Sequence, residues 1–299
     1  MQSSKGFLYI SLIADILIAI SKFTAAAFTG SSSMRAEGIH SVIDAGSQLM
    51  LIWGVRSSRK QADAERPFGY GRELYFWSFM VSLVIFILGG CISFYQGLQH
   101  FQHPEAIDHP GWNYIVLSTS FVFTAIALNS ALKAFNKQRG DMPFWEAINK
   151  SKDPSTFIAL LGDVGDVLGL LIAFVGVFLG HQFNNPHYDG IASMLIGVMM
   201  ILISMVLVRE SKSLLMGETP SRKHMRTVMA LVESDPDIIR VKKHRSIYLA
   251  PEEILLQINA IFANDLTTHQ ITDAIQRITK TIQKQFPRIK QIVIEPVAA

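Results

Sequence analysis

The run LYFWSFMVSLVIFILGGCISFYQ, residues 74–96, carries no charged side chain. Roughly 20 predominantly apolar residues cross a bilayer core as a helix, so this segment commits the chain to a membrane. It is the third of six such stretches, lying at about 7–29, 36–56, 75–97, 112–132, 155–180 and 188–208. Charged residues make up 17% of the chain, against roughly a quarter in ordinary soluble domains, and the mean hydropathy is +0.29. They are thin before Val208 and dense from Arg209 onward. Two domains are therefore expected: a six-helix transmembrane domain over 1–209 and a water-soluble domain over 210–299.

Lysine and arginine in the connections orient the spans. Arg56, Arg59, Lys60, Arg66 and Arg72 lie between the second and third, and Lys133, Lys137, Arg139, Lys150 and Lys152 between the fourth and fifth. GSSSMRAEG has only Arg35, while GLQHFQHPEAIDHPG and GHQFNNPH have neither lysine nor arginine. Positive charge favours the cytoplasmic side, which puts both termini in the cytoplasm. Lys5 precedes an apolar run, but that run contains Asp15 and Lys22 and no convincing cleavage site, so it reads as a retained helix. A multi-pass protein of a bacterial inner membrane is the expectation. The net charge of +3 is too small to imply a nucleic-acid partner, and the single cysteine, Cys91, excludes an intramolecular disulfide and a cysteine metal cluster.

Beyond Arg209 the pattern changes. SRKHMRTVMALVESDP has helical spacing, IIRVKKHRSIYLA and EILLQINAIFAN read as strands, LTTHQITDAIQRITKTIQKQF as a helix and IKQIVIEPV as a last strand. The order αββαβ predicts a ferredoxin-like α+β sandwich with both helices on one face of the sheet. Near ninety residues give a modest core that dimerisation would support.

Ionisable side chains within membrane spans are costly, by about 2.5–3.5 kcal/mol each at the helix centre on insertion scales, and are functional candidates by default. In AEGIHSVIDAGSQ the steps from Glu37 to His40, Asp44 and Gln48 stack all four on one helical face. LLGDVGDVLG places Asp163 and Asp166 one turn apart in the fifth span, with Gly162 and Gly165 allowing close helix approach. Asp44 and Asp163 each fall about nine residues into their spans, from opposite sides, near the midplane. Isolated buried polar residues can simply bridge helices. Several carboxylates and an imidazole at one depth repel unless protonated or neutralised, and a divalent cation is the economical partner. Asp15 and Lys22, seven residues apart, are expected to be structural, and Glu37 is either an outer gate or a solvated neighbour.

With these residues in view, the chain resembles a cation diffusion facilitator, the family of proton-coupled divalent metal exporters. RPFGYGRELYFWSF resembles the family's inner loop into the third helix, SLLMGE its lead into the cytoplasmic domain, and VIEPV the final strand of one subgroup. The subgroup is similar to the mitochondrial zinc transporter branch and its bacterial relatives. The resemblance implies metal ligands spaced by four in the second and fifth helices: His40 with Asp44, and Asp163 with a partner at a position occupied here by Ala159. Asp166 or water would replace that missing ligand. The family's inner loop often begins with His where this chain has Arg66, which argues against a second metal beside Asp63, and His224, His244 and His269 show no close ligand spacing. His100, His103 and His109, with Glu105 and Asp108, read as a His-rich solvated loop.

The implied function is antiport, not enzymatic catalysis: Zn²⁺, or Mn²⁺, Fe²⁺ or Co²⁺, leaves the cytoplasm in exchange for protons. The ion is cargo and no cofactor is implied. No phosphate-binding glycine loop is present to couple transport to a nucleotide. Lipid and a second copy, in a homodimer, are the expected partners. The rival is a membrane-bound metal-binding or scaffold protein of the same fold without transport, which the loss of a ligand at Ala159 favours.

Overall fold

The computed structural model describes residues 2–104, 110–144, 147 and 152–298, with side chains from Ile16 onward except those of residues 110, 134, 137 and 138. The side chain of Asp15, and residues Glu105, Asp108, His109 and Lys150, thus lie outside the described residues. The chain divides into two compact units. One comprises Met1–Arg56 and Tyr75–Lys212, the other Ser57–Leu74 and Ser213–Ala299. The loop after the second helix therefore groups with the C-terminal part.

The first unit is built from long helices: α1 Gln2–Thr29, α2 Ser32–Ser58, α3 Glu73–Val84, continued by a wider π-helical segment Ile85–Ile92 and by α4 Ser93–Gln102, then α5 Pro110–Arg139, α6 Pro154–Gln182 and α7 His187–Met216. Among the described residues, four continuous helices, Glu73–Gln102, Gly111–Lys133, Pro154–Gln182 and His187–Met216, are long and apolar enough to cross a membrane by length and composition, and Ile16–Thr29 is a shorter apolar stretch. The helix expected at 36–56 forms as α2 but is not among them, because Arg35, Glu37, Asp44 and Arg56 interrupt its apolar character. Its polar groups are instead enclosed by neighbouring helices: Glu37 and His40 are 0% and 1% exposed.

Glycine sets how closely these helices approach. A Cβ on Gly90 would lie 2.5 Å from Ile201, one on Gly97 2.5 Å from the Met194 backbone nitrogen, and one on Gly197 would press against that of Phe94. The seven-residue spacing on both helices, 90 with 97 and 190 with 197, lets the two backbones approach closely. Asp153 caps α6 by accepting from the Ser155 N–H, and Pro154 occupies the first turn.

The second unit contains α8 Arg222–Glu233, β1 Ile238–Ala250, β2 Glu253–Phe262, α9 Thr268–Gln285 and β3 Ile289–Pro296, the expected αββαβ order. The sheet order is β1-β2-β3, with β1 and β2 antiparallel (Ser246 opposite Leu256) and β2 and β3 parallel (Leu256 opposite Ile292). Period-two burial of Ile254, Leu256, Ile258 and Ala260 meets Met225, Val228, Met229 and Val232 of α8 and Ala274, Ile278 and Ile282 of α9. Strand period and helix period thus converge on one core. Thr267 and Gln270 form a capping box at the start of α9.

Arg277 ties α9 to the turn after α8, donating to Asp235 at 2.7 Å and to Asp237 at 2.7 Å. The Arg277 hydrogen bond holds the Asp235 carboxyl below its usual range. A depressed carboxyl stabilises the fold above its ordinary value of 3.8 and loses that contribution as pH falls through its lower folded value. Arg277→Gln is therefore expected to lower the melting temperature of the C-terminal unit at neutral pH, with the difference from wild type closing in acid. Differential scanning fluorimetry across pH checks it, and a deficit that persists in strong acid would contradict the linkage.

Candidate metal centre

His40 and Asp44 occupy successive turns of α2, and α6 brings Asp166 to them. His40 Nε2 stands 3.5 Å from Asp44 Oδ2 and 3.1 Å from Asp166 Oδ1. One ligand atom from each of the three residues lies within 4.8 Å of the others, the one such group of three among the described residues. Zinc bonds of about 2.0–2.2 Å to nitrogen and oxygen place tetrahedral donors roughly 3.3–3.6 Å apart, so these separations already approach the spacing one ion requires. A small void beside the group is lined by Ile85, Gly162, Gly165, Met200 and Leu207. His40 is almost fully buried, whereas Asp44 and Asp166 each keep a fifth of their side chain exposed. His40 Nδ1 is buried with no hydrogen-bond partner among the described residues.

Asp163 stands outside this group of three. Of the two aspartates expected in the fifth span, Asp166 is the one that stands beside His40. The reason lies in the helical wheel of α6. Gly165 and Gly169 form its near-contact face, since a Cβ on Gly165 would sit 3.8 Å from His40 Cε1 and one on Gly169 would press against a Glu37 carboxylate oxygen. At about 100° per residue, Asp166 lies roughly 80° from the mean Gly165–Gly169 direction and Asp163 roughly 140°. The glycine stripe, visible in GDVGDVLG, is the signal that selects the second aspartate.

One turn before His40 on α2, Glu37 is fully buried and paired with Lys22 of α1, Nζ to Oε2 at 2.9 Å, and Lys22 also donates to Ser41 Oγ at 2.9 Å. Lys22 therefore pairs across helices with Glu37, and Glu37 is buried rather than solvated. Its other oxygen, Oε1, has no hydrogen-bond partner among the described residues.

Asp189, in the first turn of α7, was not anticipated as a candidate. It is fully buried and accepts from Ser31 Oγ at 2.8 Å, Ser32 Oγ at 3.0 Å, the Ser33 N–H at 3.2 Å and the Ser33 hydroxyl. A carboxylate here satisfies the open N–H groups at the start of α2 and complements its dipole. The run SSSM before an apolar helix was the legible half of this pair. His100, expected in a solvated loop, is instead in α4 and buried, with Nδ1 3.9 Å from Asp189 Oδ2. His103 is exposed at the end of the same helix.

The remaining candidates are engaged elsewhere. Asp63 accepts from the Tyr70 hydroxyl at 2.6 Å and from the N–H groups of Glu65 and Arg66, and these bonds, Tyr70 first, hold its carboxyl below the usual range. His224 contacts its helix cap, Ser221. His269 pairs with Asp273 on the exposed surface of α9.

Comparison with known proteins agrees with this architecture. The proton-coupled zinc antiporter SLC30A9, mitochondrial, of Homo sapiens is 32% identical over 219 residues, 73% of this chain and 39% of the relative. Metal tolerance protein C4 of Arabidopsis thaliana is 27% identical over 78% of this chain and 52% of its own length. This chain thus spans well under two thirds of both. The manganese efflux system protein MneP of Bacillus subtilis is 24% identical over 98% of this chain and 95% of its own. Among solved structures, the cadmium form of a MamM CTD variant covers 26% of this chain at 14% identity with a TM-score of 0.25. The cation efflux transmembrane domain matches residues 8–216, and with more than half its length so matched the chain belongs to the cation efflux, or cation diffusion facilitator, family of membrane transporters.

Proposed function

We propose that the protein exports a divalent metal ion, Zn²⁺, in exchange for protons, and that His40, Asp44 and Asp166 hold the ion during transfer. The observation that carries this reading is the convergence of one imidazole nitrogen and two carboxylate oxygens within 4.8 Å, on two helices of an apolar bundle. A metal binds neutral imidazole and ionised carboxylate, so protons and metal compete for the same atoms. Loading expels protons, and protonation from the far side expels the metal. Three protein donors leave a fourth position to water, the open arrangement that zinc uses where ligands must exchange. Ala159 therefore needs no side-chain substitute beyond Asp166, and Asp163 makes no bond to the ion.

Zinc is supported by the nitrogen donor and by the similarity to the human proton-coupled zinc antiporter. Manganese is the second reading, supported by two oxygens in three donors and by the manganese efflux relative, which matches over nearly the whole chain. Both termini lie in the cytoplasm on this reading, which the arginines and lysines of the second-to-third and fourth-to-fifth connections support. The C-terminal αββαβ unit pairs two copies into a homodimer.

Titrating Zn²⁺ and Mn²⁺ into the purified full-length protein tests the site. Binding is expected to release protons and to weaken as pH is lowered, with Zn²⁺ the tighter ligand. Affinity independent of pH for both ions would contradict competition at the cluster.

A further inference from the structure

The C-terminal unit carries a cavity of about 420 Å³ that metal transfer does not use, and it lies on the sheet face turned away from α8 and α9. Ile254, Leu256 and Ile258 point to the helices, so Leu255 between them points the other way, and Ile247 and Leu249 of β1 join it in the wall. The opposite wall is the loop from Arg66 to Arg72, seated so closely that a Cβ on Gly71 would lie 2.6 Å from the Leu249 carbonyl oxygen. Phe68 forms part of this wall and remains 57% exposed. The volume is that of a small-molecule site, typically about 300–1,000 Å³.

Two guanidinium groups line it. Arg66 is fixed by an ion pair with Glu73 at 2.6 Å and by stacking 4.6 Å from the Tyr70 ring centroid. Arg72 is exposed, with no ion pair among the described residues. Apolar walls with paired arginines suit a ligand that is anionic at one end and hydrocarbon at the other. Arg72 immediately precedes Glu73, the first residue of a 30-residue apolar span. A residue that directly flanks an apolar span falls in the headgroup region when the span crosses a bilayer, and basic clusters beside a span attract anionic lipid.

We propose that this groove binds an anionic phospholipid of the phosphatidylglycerol class, its phosphodiester on Arg66 and Arg72 and its first acyl carbons against Phe68, Ile247 and Leu255. The assignment is independent of the transported ion.

Full-length protein in a neutral detergent is titrated with dihexanoyl phosphatidylglycerol, dihexanoyl phosphatidylcholine and inorganic phosphate by calorimetry. The glycerol lipid is expected to bind, the choline lipid at least about tenfold more weakly, and phosphate hardly at all. Arg72→Ala should weaken the glycerol lipid about fivefold, from roughly 1 kcal/mol per basic group at a membrane surface. Arg59→Ala, outside the groove, should leave it unchanged, and Leu255→Asn should weaken both lipids. Arg72→Lys, which keeps the charge, should restore most of the affinity if the loop is intact. Equal binding of both lipids, phosphate binding as tightly as the lipid, or equal losses in Arg59→Ala and Arg72→Ala would each overturn the site.

Discussion

Asp166→Ala is expected to abolish divalent-cation transport and to weaken metal binding by at least about 100-fold, while Asp163→Ala leaves binding within a few-fold of wild type. The expectation follows from the 3.1 Å approach of Asp166 to His40 and from the absence of Asp163 from the three-residue group. Even outer partners of metal ligands change affinity by about 10–100-fold, so loss of a direct donor should exceed that range. Asp166→Glu tests geometry against charge: the carboxylate remains but is displaced by one methylene, and affinity should recover only in part. Parallel measurement of binding and flux in the two alanine variants decides the matter. Flux lost in Asp163→Ala and kept in Asp166→Ala would assign the site to the other aspartate.

The second large effect is on stability. Lys22→Met should destabilise the membrane unit by about 3–5 kcal/mol, because it leaves the Glu37 carboxylate buried without its cation. Glu37 already has one oxygen with no partner among the described residues, and the other depends on the 2.9 Å bond from Lys22. The double variant Lys22→Met/Glu37→Leu removes both charges and should regain most of the loss, since apolar replacement of a buried ion pair is often neutral or stabilising. Thermal unfolding in detergent reads both. Single and double variants of equal stability would show that the pair is not energetically coupled.

Period and composition made most of the architecture legible. The αββαβ order followed from apolar spacing, because Leu256 and Ile258 of β2 and Ile278 and Ile282 of α9 bury one face each. Contacts between distant helices were less legible. Spacing along α2 stacks Glu37 with His40, but nothing in it says that Lys22 of α1 will reach Glu37. Asp189 was hidden for the same reason: its partners, Ser31 to Ser33, lie more than 150 residues earlier in the chain, at the start of another helix. Where the sequence held the decisive signal, in the glycines of GDVGDVLG, it did so through backbone approach. Counting ligands by fours from Ala159 points to Asp163, whereas Asp166 is the aspartate that stands 3.1 Å from His40.

The central claim is that protons and a divalent metal exchange through one site. It is tested most directly in proteoliposomes with an acidic lumen and a near-neutral exterior, following external Zn²⁺ entry and luminal pH together. Zn²⁺ is predicted to enter faster than without the gradient, the lumen to lose acidity as it does so, and Asp44→Ala to abolish both signals. Folded, correctly inserted protein that moves neither Zn²⁺ nor Mn²⁺ in response to the gradient would contradict it.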